Sequence, residues 1–150
     1  MKKIFVAGFL LCCSNFLFAQ IQNPVSWTAT SQKIADNTYE IHLTADINQG
    51  WHIYSQTTPD GGPVPTSITF TKNPLLTLEG TAKEVGKLEK HNEPLFGVDV
   101  KQFSNKVDFV QKVKLKAPVK TSVNVAVEFM VCNDKQCLPP STRKFTVALK

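Results

Sequence analysis

The sequence predicts an all-β domain built as a two-sheet β-sandwich. Apolar and polar residues alternate with period two in several segments, the mark of strands with one buried and one wet face. Turn-forming residues interrupt the chain at short intervals. No segment places apolar residues at the three-to-four spacing of an amphipathic helix; the nearest candidate, Thr81 to Lys90, has too few apolar positions to dock.

Taken in order, Val25 to Thr30 is a weak first strand, ended by the turn signal Ala35-Asp36-Asn37. Tyr39 to Ile47 is the clearest: Tyr39, Ile41, Leu43, Ala45 and Ile47 alternate with Glu40, His42, Thr44 and Asp46. Asn48-Gln49-Gly50 turns the chain into a short strand at Gly50 to Tyr54, and Pro59 to Pro65 forms a loop. Weaker strands follow at Ser67 to Phe70 and Leu75 to Leu78. Val107, Phe109, Val113 and Leu115 then alternate with outward Lys112, Lys114 and Lys116, up to the break at Ala117-Pro118. Val123, Val125, Val127, Phe129 and Val131 form another alternating strand, and Phe145, Val147 and Leu149 the last. About eight short strands of this kind suit an immunoglobulin-like sandwich, with a closed barrel as the alternative.

The first 19 residues stand apart. Lys2 and Lys3 precede a nearly unbroken apolar run from Ile4 to Phe18, and Ala19 supplies a small residue before Gln20. This is the layout of a secretory signal peptide cleaved after Ala19, leaving one domain over residues 20–150. A membrane anchor needs a longer apolar stretch. A lipoprotein with Cys12 or Cys13 as the lipidated residue lacks the small residue before either cysteine. Cleavage takes the formal net charge from +5 to +3 by removing Lys2 and Lys3. That charge is mild and evenly spread along the sequence, which argues against a nucleic-acid partner. Neither GxGxxG nor GxxxxGK[ST] occurs, so the usual nucleotide-binding fingerprints are missing.

Of the four cysteines, export leaves Cys132 and Cys137, in an oxidising compartment. They flank Asn133-Asp134-Lys135-Gln136 at the end of an alternating strand, and Asn-Asp is good turn chemistry. In a tight hairpin the two cysteines lie roughly opposite each other, close enough to bond after a modest adjustment. A ring of so few residues stabilises a fold by only about 2 kcal/mol on the chain-entropy formula, against about 4.7 for a 100-residue loop. Short, exposed disulfides are also the more reducible ones. From the residues alone the pair reads either as a structural staple or as a redox-active bond. A metal site is poorly supported, because His42, His52 and His91 have no ligand spacing to the cysteines and Met130 is the sole methionine after cleavage. His42, on a polar strand face, reads as a solvated surface residue. No Ser, His and Asp grouping supports a hydrolase.

The run from Val131-Cys132 through Cys137-Leu138-Pro139-Pro140 resembles the redox motif of the N-terminal periplasmic domain of DsbD, the bacterial transmembrane thiol:disulfide interchange protein. Gly50-Trp51-His52-Ile53-Tyr54-Ser55 resembles that family's aromatic strand, and Gly61-Gly62-Pro63-Val64-Pro65-Thr66 its following loop. His91-Asn92-Glu93-Pro94-Leu95-Phe96-Gly97 resembles the loop that caps the cysteines. The resemblance implies an immunoglobulin-like sandwich with the pair on a redox hairpin, acting as an exported, periplasmic thiol:disulfide interchange module without a cofactor. It implies that Cys137 forms the mixed disulfide with partners and that Cys132 resolves it. It places Tyr54 and His52 beside the pair, makes Leu95 and Phe96 a hydrophobic lid, and sets Glu93 next to that lid. The implied partners are thioredoxin-like periplasmic proteins, including disulfide isomerases and proteins of cytochrome c maturation, and no small-molecule substrate is implied. The chain departs from the best-known members in having one residue fewer between the cysteines. It also carries no membrane or thioredoxin-like domain, so the resemblance is to a stand-alone version fed by a separate membrane or thioredoxin-like donor. A binding or assembly domain of the same fold with a structural disulfide is the alternative function.

Overall fold

A computed structural model describes residues 22–150; the expected signal peptide, and with it Cys12 and Cys13, falls outside the described residues. Eight antiparallel strands make up the domain: β1 (Val25–Ala35), β2 (Thr38–Ile47), β3 (His52–Tyr54), β4 (Ser67–Phe70), β5 (Leu76–Glu93), β6 (Val98–Leu115), β7 (Thr121–Cys132) and β8 (Cys137–Leu149). β6 pairs with β5 along one edge and with β3 and then β2 along the other. β7 pairs with β8 along one edge and with β3 and β4 along the other. The three-residue β3 therefore joins a β1-β2-β6-β5 layer to a β4-β7-β8 layer, and the sheet curls into a sandwich. At the far edge Ser31 Oγ donates to the Ala148 carbonyl (2.6 Å) and Tyr39 OH to that of Lys150 (2.9 Å), so β1 lies against β8.

The alternating residues fill the space between the layers. Ile41, Leu43 and Ala45 of β2, Val107, Phe109 and Val113 of β6, and Val123, Val125, Val127, Phe129 and Val131 of β7 are all buried in one cluster. Trp27 of β1 ties the layers together, with ring centroids 5.8 Å from Phe109 and 5.2 Å from Phe129.

The structure extends one weak strand well beyond its sequence signal. The expected strand Leu75 to Leu78 is, from Leu76 on, the start of β5, which continues through Thr81 to Lys90, the stretch nearest to helical in pattern. That stretch is an edge strand, hydrogen-bonded to β6 and exposed over most of its length, so it needs few apolar residues. β8 likewise starts at Cys137, earlier than the Phe145 to Leu149 alternation suggests. The register against β7 shifts between Phe129 and Val131, and the extra residue of β8 falls at Pro139-Pro140. A bulge at a sheet edge is a position that tolerates proline. His42 is less solvated than its strand face suggests, with Nδ1 2.7 Å from Asp108 Oδ2.

Candidate functional site

β7 and β8 meet in a hairpin whose last paired residues are Cys132 and Cys137, and these two are joined in a disulfide with Cα atoms 4.1 Å apart. The four-residue tip is closed by Asn133. Its backbone N–H donates to the Gln136 carbonyl (2.9 Å), and its Oδ1 accepts from the N–H groups of Lys135 and Gln136 (both 2.9 Å).

Strand parity decides what surrounds the bond. Ile53, Phe103 and Val131 point into the main core, so their neighbours His52, Tyr54, Gln102, Met130 and Cys132 point to the other face of the same strands. There Tyr54, Val100 and Cys132 form a second buried cluster, with Val98, Met130 and Cys137 packed against it. His52 is the direct cross-strand partner of Cys132. The two sulfur-bearing residues are not equivalent: Cys132 is fully buried, whereas Cys137 is partly exposed.

A buried polar trio lies beside this cluster. Glu93, 1% exposed, accepts a hydrogen bond at Oε2 from Tyr54 OH (2.7 Å). His52 Nε2 stands 3.2 Å from the same carboxylate oxygen and 3.1 Å from Tyr54 OH, so a proton on Nε2 finds acceptors in both. Burial lowers the His52 pKa below its ordinary value, and Glu93 opposes that shift only in part. Burial, reinforced by the Glu93 carboxylate, raises the Tyr54 phenol well above its ordinary range, so it remains a hydrogen-bond donor at neutral pH.

Glu93 is held there by the β5–β6 turn. The N–H groups of Phe96 (3.1 Å) and Gly97 (2.7 Å) donate to its carbonyl, and Gly97 takes a φ of 68°, which glycine adopts without strain. The preceding loop closes on the same region: a Cβ on Gly62 would stand 2.7 Å from Val98 Cγ2.

Of the residues expected at the site, Cys132, Cys137, His52, Tyr54 and Glu93 are brought together. Leu95 and Phe96 sit at the tip of the β5–β6 turn, 48% and 37% exposed. Val98, Val100 and Met130 were not expected. Their signal was present as apolar residues at the off-beat positions of β6 and β7. Trp51, in the same motif as His52 and Tyr54, packs instead against the main core. Among the described residues no group of three or more His, Cys, Asp or Glu side chains is arranged to hold a metal ion.

The sequence profile of the family "Thiol:disulfide interchange protein DsbD, N-terminal" matches residues 22–149, nearly all of the described chain. The chain belongs to the DsbD N-terminal domain family. Solved structures share its fold. The reduced DsbD N-terminal domain of Neisseria meningitidis superposes with a TM-score of 0.52 at 15% identity, over 81% of this chain and 84% of that one. The same domain in complex with the PilB N-terminal domain gives 0.52 at 13% identity, over 85% and 87% of the respective chains. The N-terminal periplasmic domain of ScsB from Proteus mirabilis gives 0.50 at 16%, over 83% of this chain but only 44% of that one. No curated protein matches the chain. Thiol–disulfide interchange is the chemistry of the DsbD N-terminal family, and this member carries a bonded cysteine pair at a hairpin tip.

Proposed function

We propose that the domain relays two electrons between a dithiol donor and oxidised periplasmic proteins, with Cys137 as the sulfur that meets both. The observation that carries this reading is the unequal burial of the pair. An incoming thiolate must reach a disulfide sulfur along the bond axis, and access sets which sulfur it takes. Cys137 is partly exposed and Cys132 is fully buried.

In the loading direction a donor thiolate attacks Sγ of Cys137. The Cys132–Cys137 bond breaks, and Cys132 leaves as a thiolate that takes up a proton. The donor's second thiolate then attacks its own sulfur in the mixed disulfide and releases Cys137 as a thiolate, which takes up the second proton from solvent. Two electrons and two protons arrive on the pair, and the donor leaves as a disulfide. In the delivery direction the Cys137 thiolate attacks an acceptor disulfide. Cys132, deprotonated, then attacks Sγ of Cys137, reforming the bond and releasing the acceptor as a dithiol.

The acceptors are thioredoxin-like proteins, in keeping with the capture of a DsbD N-terminal relative in complex with the PilB N-terminal domain. Leu95 and Phe96 act as a displaceable cover on the partner side of the pair, which their place on the turn following Glu93 supports. The periplasm is the working compartment, in keeping with the N-terminal leader and with the periplasmic ScsB relative.

Trapping tests the order of attack. A Cys132→Ser variant leaves Cys137 without a resolving thiol, so mixing it with an oxidised thioredoxin-like protein should give a covalent adduct that dithiothreitol dissolves. Cys137→Ser should give none. Adducts of equal yield from both variants would refute the assignment.

A further inference from the structure

Five lysines from separate parts of the sequence are brought together by the fold at one end. The loops 71–75 and 116–120 and the β1–β2 turn lie side by side: Lys116 N–H donates to the Leu75 carbonyl (2.9 Å) and Leu115 N–H to that of Asn37 (2.7 Å). Asn73 Nδ2 reaches the Ser122 carbonyl (2.9 Å) and pins the two loops together. This end carries Lys33, Lys72, Lys114, Lys116 and Lys120, all exposed. Its acids are Asp36, Glu40 and Glu79. Asp36 is paired with Lys33 (3.7 Å), Glu79 with the neighbouring Lys112 (3.1 Å), and Glu40 lies 3.9 Å from His42. The cysteine end is mixed in sign, with Asp60, Glu89, Asp99 and Asp134 against Lys87, Lys90, Lys101 and Lys135, and the buried Glu93. The net positive charge therefore sits at the far end.

The same end exposes aliphatic side chains: Leu75 at 45%, Ile34 at 43%, Leu78 at 39% and Val119 at 39%. They stand among the lysines, and Leu78 and Lys72 share an open recess with Phe70, Pro74 and Leu76. Lysines interleaved with protruding aliphatic tips fit a layer that offers phosphate charge above hydrocarbon and requires no shape match.

We propose that this end of the domain docks on an anionic phospholipid surface. β7 runs from Thr121 at the basic end to Cys132 at the other, a rise of roughly 35 Å for a strand of that length. Docking in this orientation holds the disulfide that far from the headgroups, with Cys137 turned away from the lipid.

Flotation of the oxidised protein with phosphatidylglycerol-containing vesicles tests it, with phosphatidylcholine vesicles in parallel. Binding to the anionic vesicles alone, weakening as salt rises, is expected. A K72Q/K116Q/K120Q variant should lose on the order of 100-fold in partitioning, from about fivefold per lysine. Its reduction by dithiothreitol should be unchanged, showing that it remains folded. A Leu75→Ser/Val119→Ser variant should bind more weakly at high salt, where the aliphatic contribution remains. Absence of binding to anionic vesicles, or binding that survives the triple lysine change, overturns the proposal. So does binding to polyglutamate without binding to vesicles, which would assign the face to an acidic protein.

Discussion

The main core and the cluster around the disulfide are built from opposite faces of the same strands. Ile53 and His52 are neighbours on β3, Phe103 and Gln102 on β6, Val131 and Cys132 on β7, and in each pair one residue serves the core and the other faces the site. The core is apolar apart from the Tyr39 hydroxyl and the buried indole N–H of Trp27. The site cluster buries an imidazole, a phenol and a carboxylate within hydrogen-bonding distance of one another. Two-period alternation writes one dry and one wet face. At this end of the molecule the β5–β6 turn and the loop before β4 cover the wet face, so polar residues are enclosed there together with the disulfide.

If the two regions divide stability and chemistry in this way, mutations should separate them. Phe109→Ala, in the core, should cost about 3–5 kcal/mol in denaturant unfolding and leave the reduction potential of the folded domain close to that of the wild type. Glu93→Gln should cost less, about 1–3 kcal/mol, because it removes the charged acceptor shared by Tyr54 and His52. It should also shift the potential, which the core mutation does not. Equal effects of the two on the potential would erase the distinction.

A pH series sharpens it further. The folded His52 pKa lies below its ordinary value, so the unfolded chain binds the proton more readily. Above the unfolded value of about 6.5 the imidazole is neutral in both states and adds no pH dependence. Below that pH the unfolded state gains a proton that the folded state resists, and stability falls until the lower folded pKa is passed. Unfolding midpoints between pH 4.5 and 7.5 should therefore fall less steeply in His52→Gln than in the wild type. Parallel curves would place His52 outside the acid response. The smallest effect belongs to the turn: Leu95→Ala and Phe96→Ala should change stability by no more than about 0.5 kcal/mol, as exposed positions do. As parts of a cover they should nonetheless raise the reaction rate of reduced Cys137 with iodoacetamide. An unchanged rate would remove the cover from the account.

How far each region was legible follows from the same contrast. β2, β7 and the second half of β6 were readable because one face is dry and the residues alternate, as in Tyr39 to Ile47; the first half of β6, Val98 to Lys106, was not. Most of β5 was not, because an exposed edge strand can be satisfied by backbone pairing with few apolar side chains. The cysteine hairpin was readable from its spacing and its Asn-Asp turn. The burial of Glu93 was not readable, since nothing local marks a carboxylate as enclosed; the family-like motif set it only beside the expected lid. The role of Val98, Val100 and Met130 was not legible because they occupy the phase that alternation assigns to solvent. The gathering of lysines at one end was invisible for another reason: Lys33, Lys72 and Lys116 are far apart in sequence and meet only through the strand order.

The account rests on a disulfide poised for exchange, and its reduction potential tests this most directly. Titration of the oxidised domain against a glutathione or dithiothreitol buffer should place the Cys132–Cys137 couple near about −200 mV, in the range of oxidoreductases. A value below about −300 mV, the range of structural disulfides, would make the bond a staple and contradict the proposed relay.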